Sequence, residues 1–179
     1  MKKEYEIAIK WAGFPLHPEI PEHGMTLDEL FKGQPVDIDG IIARLKAVAD
    51  DLGLPMTDHR TTYNSRLAQE VGHWAESEGK GDEFHNAVFT AYFAEGKNIG
   101  KVSVLADLAK SVGLSPEQAN EVIETRAFKK AVDTDWQLSR EKDIKAVPTF
   151  KFNGQTLVGA QSYEALERLV LAGNVKKRQ

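Results

Sequence analysis

An Asn-Gly pair set between two short apolar runs constrains this chain more than any other feature. The runs Thr149–Phe152 and Gln155–Val158 flank Asn153-Gly154. Both turn residues tolerate the positive φ that a two-residue connection demands, so the stretch predicts an antiparallel hairpin. Pro148 stands at the start of the first strand, where its missing N–H costs least. On pattern alone the Val147–Pro148 bond reads as an ordinary trans bond, since only about 5–6% of X–Pro bonds in folded proteins are cis. Gly159-Ala160 breaks the second strand, and Ser162 can cap a helix immediately after it. Residues 163–171 read as that helix, with Tyr163, Leu166, Leu169 and Val170 on one face.

At the other end, Tyr5-Glu-Ile-Ala-Ile-Lys-Trp11 alternates strictly between apolar and other residues. Tyr5, Ile7, Ile9 and Trp11 would face one way along a strand with one wetter side, which suits a sheet edge. Three prolines and two glycines in Ala12-Gly-Phe-Pro-Leu-His-Pro-Glu-Ile-Pro-Glu-His-Gly24 forbid regular structure there. Loops of that length inside a compact domain are commonly functional. Trp11, Phe14 and Leu16 could line a groove, or could pack a proline-stiffened connector onto its own core.

Helical patterns fill the middle. Thr26 and Glu29 form a capping-box pair for a short helix ending near Gly33. Asp37 or Asp39 caps the next, where Ile38, Ile41, Ile42, Leu45, Val48, Ala49 and Leu52 make a stripe that stops at Gly53. A short extended piece is expected around residues 54–57. Residues 65–78 place Leu67, Ala68, Val71, Trp74 and Ala75 inward and end at Gly79. Residues 82–95 carry Phe84, Ala87, Val88, Ala91 and Tyr92, with Phe89 and Phe93 on a second side, a pattern expected of the central helix of a bundle. A shorter helix over residues 101–112 stops at Gly113. Ser115-Pro116-Glu117-Gln118 is the clearest helix start, leading to a helix broken near residues 124–126 and running to about Glu141.

With 179 residues and 41% hydrophobic content, one ordinary domain with a real core is expected. A net charge of −4 recommends neither nucleic acid nor an anionic membrane as partner. No apolar run approaches a membrane span and no signal-peptide core follows Met1, so the chain reads as soluble and cytoplasmic. It contains no cysteine, and therefore no disulfide or thiolate of its own.

The order proline, hairpin, glycine, closing helix resembles the C-terminal half of a thioredoxin fold. Val147-Pro148-Thr149-Phe150, followed by Gly159-Ala160-Gln161, is similar to the DsbA-like branch of that superfamily. Trp11 running into Phe14-Pro15-Leu16-His17-Pro18-Glu19, then Pro21-Glu22-His23-Gly24, resembles its FrnE-type, polyketide-associated subgroup. The resemblance spans Tyr5 to about Leu171. It implies an α/β, thioredoxin-like fold in one domain, with a helical insertion over about residues 26–142 and the hairpin and helix over about 144–172. It also implies that Pro148 is cis and that Val147, Pro148 and Thr149 wall a peptide groove, with Trp11, Phe14 and His17 as further candidates for substrate binding. The implied activity is protein-disulfide exchange on a protein or peptide thiol, without a cofactor.

The family opens with a strand and a Cys-x-x-Cys helix ahead of the segment matched by residues 5–11, because a helix N-terminus lowers a cysteine pKa and favours the thiolate. This sequence shows no such unit, so no catalytic residue carries over and the chain as it stands is expected to be redox-inactive. The expected topology is truncated, with a gap between residues 5–11 and Thr149–Phe152. That gap would make the chain marginal and self-associating unless the two strands closed up. A non-catalytic peptide-binding module of the same fold is one alternative. Another is a relative of the glutathione-using chromene-carboxylate isomerases and kappa-class transferases. Before the proline, where the family usually has glycines, this chain has Asp143 and Ala146. His17, Glu19, Glu22 and His23 could gather a metal ion, although a solvated loop explains them as simply. None of the five histidines takes the i,i+4 spacing of a helical zinc pair.

Overall fold

The computed structural model describes residues 1–178, which divide into two compact units. One is His17–Asp133; the other combines Met1–Leu16 with the chain from Thr134 onward.

The His17–Asp133 unit is helical. A two-residue ladder pairs β1 (Met25–Thr26) antiparallel to β2 (Thr61–Thr62). Thr26 caps α1 (Leu27–Leu30), its hydroxyl accepting from the Glu29 N–H while the Glu29 carboxylate accepts from the Thr26 N–H. Asp37 caps α2 (Ile38–Asp51) by accepting from the Gly40 N–H at 2.9 Å. The core is built by α3 (Arg66–Ser77), α4 (Gly81–Phe89), α5 (Val102–Ser111) and α6 (Pro116–Thr125). Val71, Ala75, Phe84, Leu105, Ala109 and Ala119 are shut off from solvent at its centre. Ser115 starts α6 by accepting from the Gln118 N–H at 3.2 Å, but its own hydroxyl donates to Glu117. Arg126 ends α6 in the left-handed region, at φ 54°, and α7 (Lys129–Glu141) begins three residues later.

Two expectations fail in this unit. Residues 82–95 are helical almost throughout but are neither one regular α-helix nor buried on two sides. After Phe89 the chain widens into a π-helical turn, Thr90–Ala94, and both Phe89 and Phe93 are exposed. The second apolar side therefore does not mean burial on both sides. The α2 stripe is likewise exposed, with Ala49 its one buried residue.

In the other unit the hairpin forms where expected. β3 (Thr149–Phe152) pairs antiparallel with β4 (Gln155–Val158), with Asn153 and Gly154 at φ 47° and 80°. Ser162 caps α8 (Tyr163–Leu171), accepting from the Ala165 N–H, and Leu169 and Val170 are buried. The Val147–Pro148 bond is cis. The expected strand over residues 5–11 is absent. Only Tyr5 makes a bridge, antiparallel to Lys177, and Ile9 and Trp11 are exposed. Alternation describes which side chains could share a face, but a strand also needs a partner for its backbone. Among the described residues, residues 6–11 and the outer edge of β3 lie in no strand ladder on that side, although the Glu6 N–H still reaches the Lys176 carbonyl at 3.0 Å.

Asp143 takes φ 51° just past α7, its N–H donating to the Arg140 carbonyl and the Ile144 N–H to that of Ser139. Positive φ is thus retained here without glycine. The nearby Lys145–Asp143 ion pair is solvent-exposed on both sides and adds little. Asp143→Gly is therefore expected to stabilise the chain by about 0.5–1 kcal/mol, measured as a shift of the denaturant midpoint at constant slope.

Candidate functional site

The hairpin and the Ser162 cap arise from local sequence, and together they fix the loop that leads into β3. The Pro148 carbonyl accepts from the Gly159 N–H at 2.8 Å, so β4 holds the loop from its far end. The Thr149 hydroxyl donates to the Ala146 carbonyl at 2.6 Å, closing a small ring of chain around Val147 and Pro148. Val147 and Pro148 are exposed and Thr149 is half-buried. A backbone edge with two exposed apolar side chains, Val147 and Pro148, results, held in place by its neighbours.

In the same unit the Gly13 N–H donates to Asp135 Oδ2, buried on α7, at 2.7 Å. That bond ties down the segment carrying Trp11 and Phe14; Trp11 is exposed and Phe14 half-buried. His17 belongs to the other unit. Its Nδ1 lies 3.2 Å from Glu19 Oε1 and its ring meets Phe31 edge-on. Of the six candidates, Val147, Pro148 and Thr149 share one loop. Trp11 and Phe14 share their compact unit, and His17 is engaged by its own neighbours.

Sequence reasoning missed the anchor of this unit. Tyr5 is wholly buried, and its hydroxyl donates to Glu167 Oε1 on α8. Lys177 Nζ lies 5.4 Å from the centre of the Tyr5 ring and 3.9 Å from Glu167 Oε1. The Glu167 hydrogen bond and burial raise the Tyr5 pKa, and the Tyr5 contact raises that of Lys177. Desolvation, then the Glu4 carboxylate, pushes Tyr163 up to about 12. These hydroxyls are proton-bearing structural groups at neutral pH. The only signal in sequence was the first aromatic residue of the alternating run.

The other unit holds two features equally invisible in sequence. Glu70, fully buried on α3, accepts from Arg66 Nε at 2.9 Å and from Arg126 Nε and Nη2 at 2.8 and 2.6 Å. His59 is packed against the edges of Tyr63 and Tyr92 with its buried Nε2 unpartnered, and burial lowers its pKa. A shallow cleft of about 420 Å³ lies between Asn86, Thr90, Glu95 and Lys97 on one side and Asp107 and Ser111 on the other. Among the described residues no three His, Asp or Glu side chains gather as metal ligands, and no helix is long and apolar enough to cross a membrane.

The fold has clear relatives. Over 92% of this chain it superposes on 74% of a probable DsbA oxidoreductase from Streptomyces coelicolor, with a TM-score of 0.80 at 20% identity. A candidate protein disulfide isomerase from Nitrosomonas europaea matches 83% of this chain and 75% of its own, with a TM-score of 0.65 at 16% identity. In sequence, 115 residues are 35% identical to the uncharacterized protein YwbO of Bacillus subtilis strain 168. That match takes in 62% of this chain but 56% of YwbO, so the chain spans little more than half the length of that relative. Residues 1–170 match the DSBA-like thioredoxin domain, and the chain belongs to that family.

Proposed function

We propose that these 179 residues are the peptide-holding part of a protein-disulfide oxidoreductase of the FrnE-type subgroup, and that the reacting cysteines are supplied from outside them. The observation that carries the reading is the combination of family membership over residues 1–170 with the absence of any cysteine. Thiol–disulfide exchange begins with attack of a thiolate on a disulfide sulfur, and this chain offers no sulfur able to attack. It does offer the Val147–Thr149 loop and the outer edge of β3, which has no ladder partner among the described residues. An extended peptide can add to such an edge through main-chain hydrogen bonds, with the exposed Val147 side chain beside it. The same edge could accept a strand from another copy of the chain. The Phe14-Pro15-Leu16-His17-Pro18-Glu19 wording supports the FrnE-type assignment over the glutathione-using relatives.

An insulin-reduction assay tests this directly. The 179-residue chain alone should give no turnover above buffer. The same chain preceded by a strand and Cys-x-x-Cys helix, read in frame from the DNA upstream of Met1, should turn over. Activity of the cysteine-free chain, or inertness of the extended one, would overturn the reading.

A further inference from the structure

We infer that the exposed face of α2 is a self-pairing surface, on which α2 of a second copy of this chain lies antiparallel. This goes beyond the proposed oxidoreductase role and uses neither the β3 edge nor the proline loop. Ile38, Ile41, Leu45, Val48 and Leu52 succeed one another at intervals of three, four, three and four residues. That is the a/d spacing of a two-stranded seam, with Ile38, Leu45 and Leu52 at a and Ile41 and Val48 at d. Ile41, Leu45, Val48 and Leu52 are 39, 51, 48 and 67% exposed, although a helix inside a single protein would bury such a stripe. Ala49, at an e position, is buried and Ile42, at the other, is half-buried. One flank of the seam therefore rests on the chain's own unit, while the seam itself faces out.

The g positions choose the partner and its direction. They are Arg44 and Asp51, both exposed and neither in an ion pair among the described residues. Seven residues apart on one helix, they lie roughly 10 Å from each other along the axis and cannot pair within it. In an antiparallel pair the a layer of one helix meets the d layer of the other, so Leu45 faces Val48 of the second copy and Ile41 faces its Leu52. That register sets Arg44 against Asp51 of the second copy, and two-fold symmetry makes the same pair again on the other side. A parallel pair would set g against e, where Ala49 offers no charge. Lys46 and Asp50 pair with each other at 3.4 Å on the outer side and take no part. Two charge-matched contacts flanking an apolar seam suit a second copy of this helix. Because α2 is only about 21 Å long, the dimer should be weak and reversible.

Sedimentation velocity on the full chain, from micromolar to near-millimolar concentration, provides the test. We expect a reversible monomer–dimer equilibrium. Leu45→Glu should leave a monomer at every concentration, with helicity and melting close to wild type because Leu45 is half exposed and outside the buried core. Arg44→Asp should weaken dimerisation about tenfold by opposing two like-charged pairs, and adding Asp51→Arg should restore it. A monomer throughout the range would overturn the inference. So would a dimer indifferent to Leu45→Glu, which would point to the β3 edge, or a Leu45→Glu chain that unfolds, which would show the stripe covered by its own chain. Failure of the double variant to recover would overturn the antiparallel register.

Discussion

Replacing Glu70 with Gln is expected to lower the unfolding free energy by about 2–3 kcal/mol. The carboxylate is fully buried and accepts three hydrogen bonds from Arg66 and Arg126. Breaking a buried ion pair costs about 3–5 kcal/mol. The lower figure applies because Arg126 is partly in contact with water, which takes over some of its solvation. The same group gives the chain an acid limit. Desolvation pushes the Glu70 pKa up, but the hydrogen bonds from Arg126 and then Arg66 outweigh it and hold the pKa below the ordinary 4.5. A folded-state pKa below the unfolded one means that the contribution is complete above about 4.5 and is lost as pH falls through the folded value. Asp133, which accepts from Lys129 and Arg66, has the same sign, from 3.8 down to about 2. Denaturant melts from pH 7 to pH 3 should show wild-type stability falling below pH 4.5 and a flatter dependence for Glu70→Gln. Equal slopes for the two proteins would exclude Glu70 as the acid-sensitive group.

Replacing Tyr5 with Ala is expected to cost about 3–4 kcal/mol and to release the first residues from their bridge to the C-terminal segment. The ring is wholly buried, its hydroxyl is held by Glu167, and Lys177 covers its face. What remains to hold the segment is the Glu6 N–H to the Lys176 carbonyl at 3.0 Å, the Arg178 N–H to the Glu4 carbonyl at 2.9 Å, and Arg178 Nε donating to the Lys2 and Tyr5 carbonyls at 3.0 and 3.1 Å. Tyr5→Phe keeps the packing and loses one hydrogen bond, for about 1 kcal/mol. Amide exchange at residues 4–6 and 176–178 separates the cases, because Ala should expose them and Phe should not. Protection unchanged in Tyr5→Ala would show that the backbone bridge, not the ring, secures this end.

What could be read from sequence was what neighbours along the chain decide. Asn153-Gly154, Ser162, Ser115-Pro116 and the Thr26/Glu29 pair each act within a few residues, and each element they predict is present. Residues 5–11 failed because their alternation says nothing of whether a partner strand exists. Phe89 and Phe93 do form a second apolar side, but periodicity cannot say whether another element covers it, and both are exposed. Glu70 meets Arg126 across 56 positions, and no periodicity encodes that contact. For the candidate site, the Val147–Thr149 loop was legible as part of the hairpin. His17 was grouped with Trp11 and Phe14 on the resemblance alone, and it falls in the His17–Asp133 unit while the other two fall in the unit that begins with Met1–Leu16.

The Tyr5–Glu167 bond joins residues separated by 162 positions, and that separation sets an order of assembly during synthesis. Helices α3 to α6 find their partners close by in sequence, so the His17–Asp133 unit can fold while later residues are still being made. Tyr5 leaves the ribosome well before Glu167 and Lys177, yet must wait for both. Until then the alternating run of residues 5–11 is nascent chain without its anchor, the state in which a sticky segment is open to chaperones or to neighbouring chains. A segment made early is thus ordered only after one made far later.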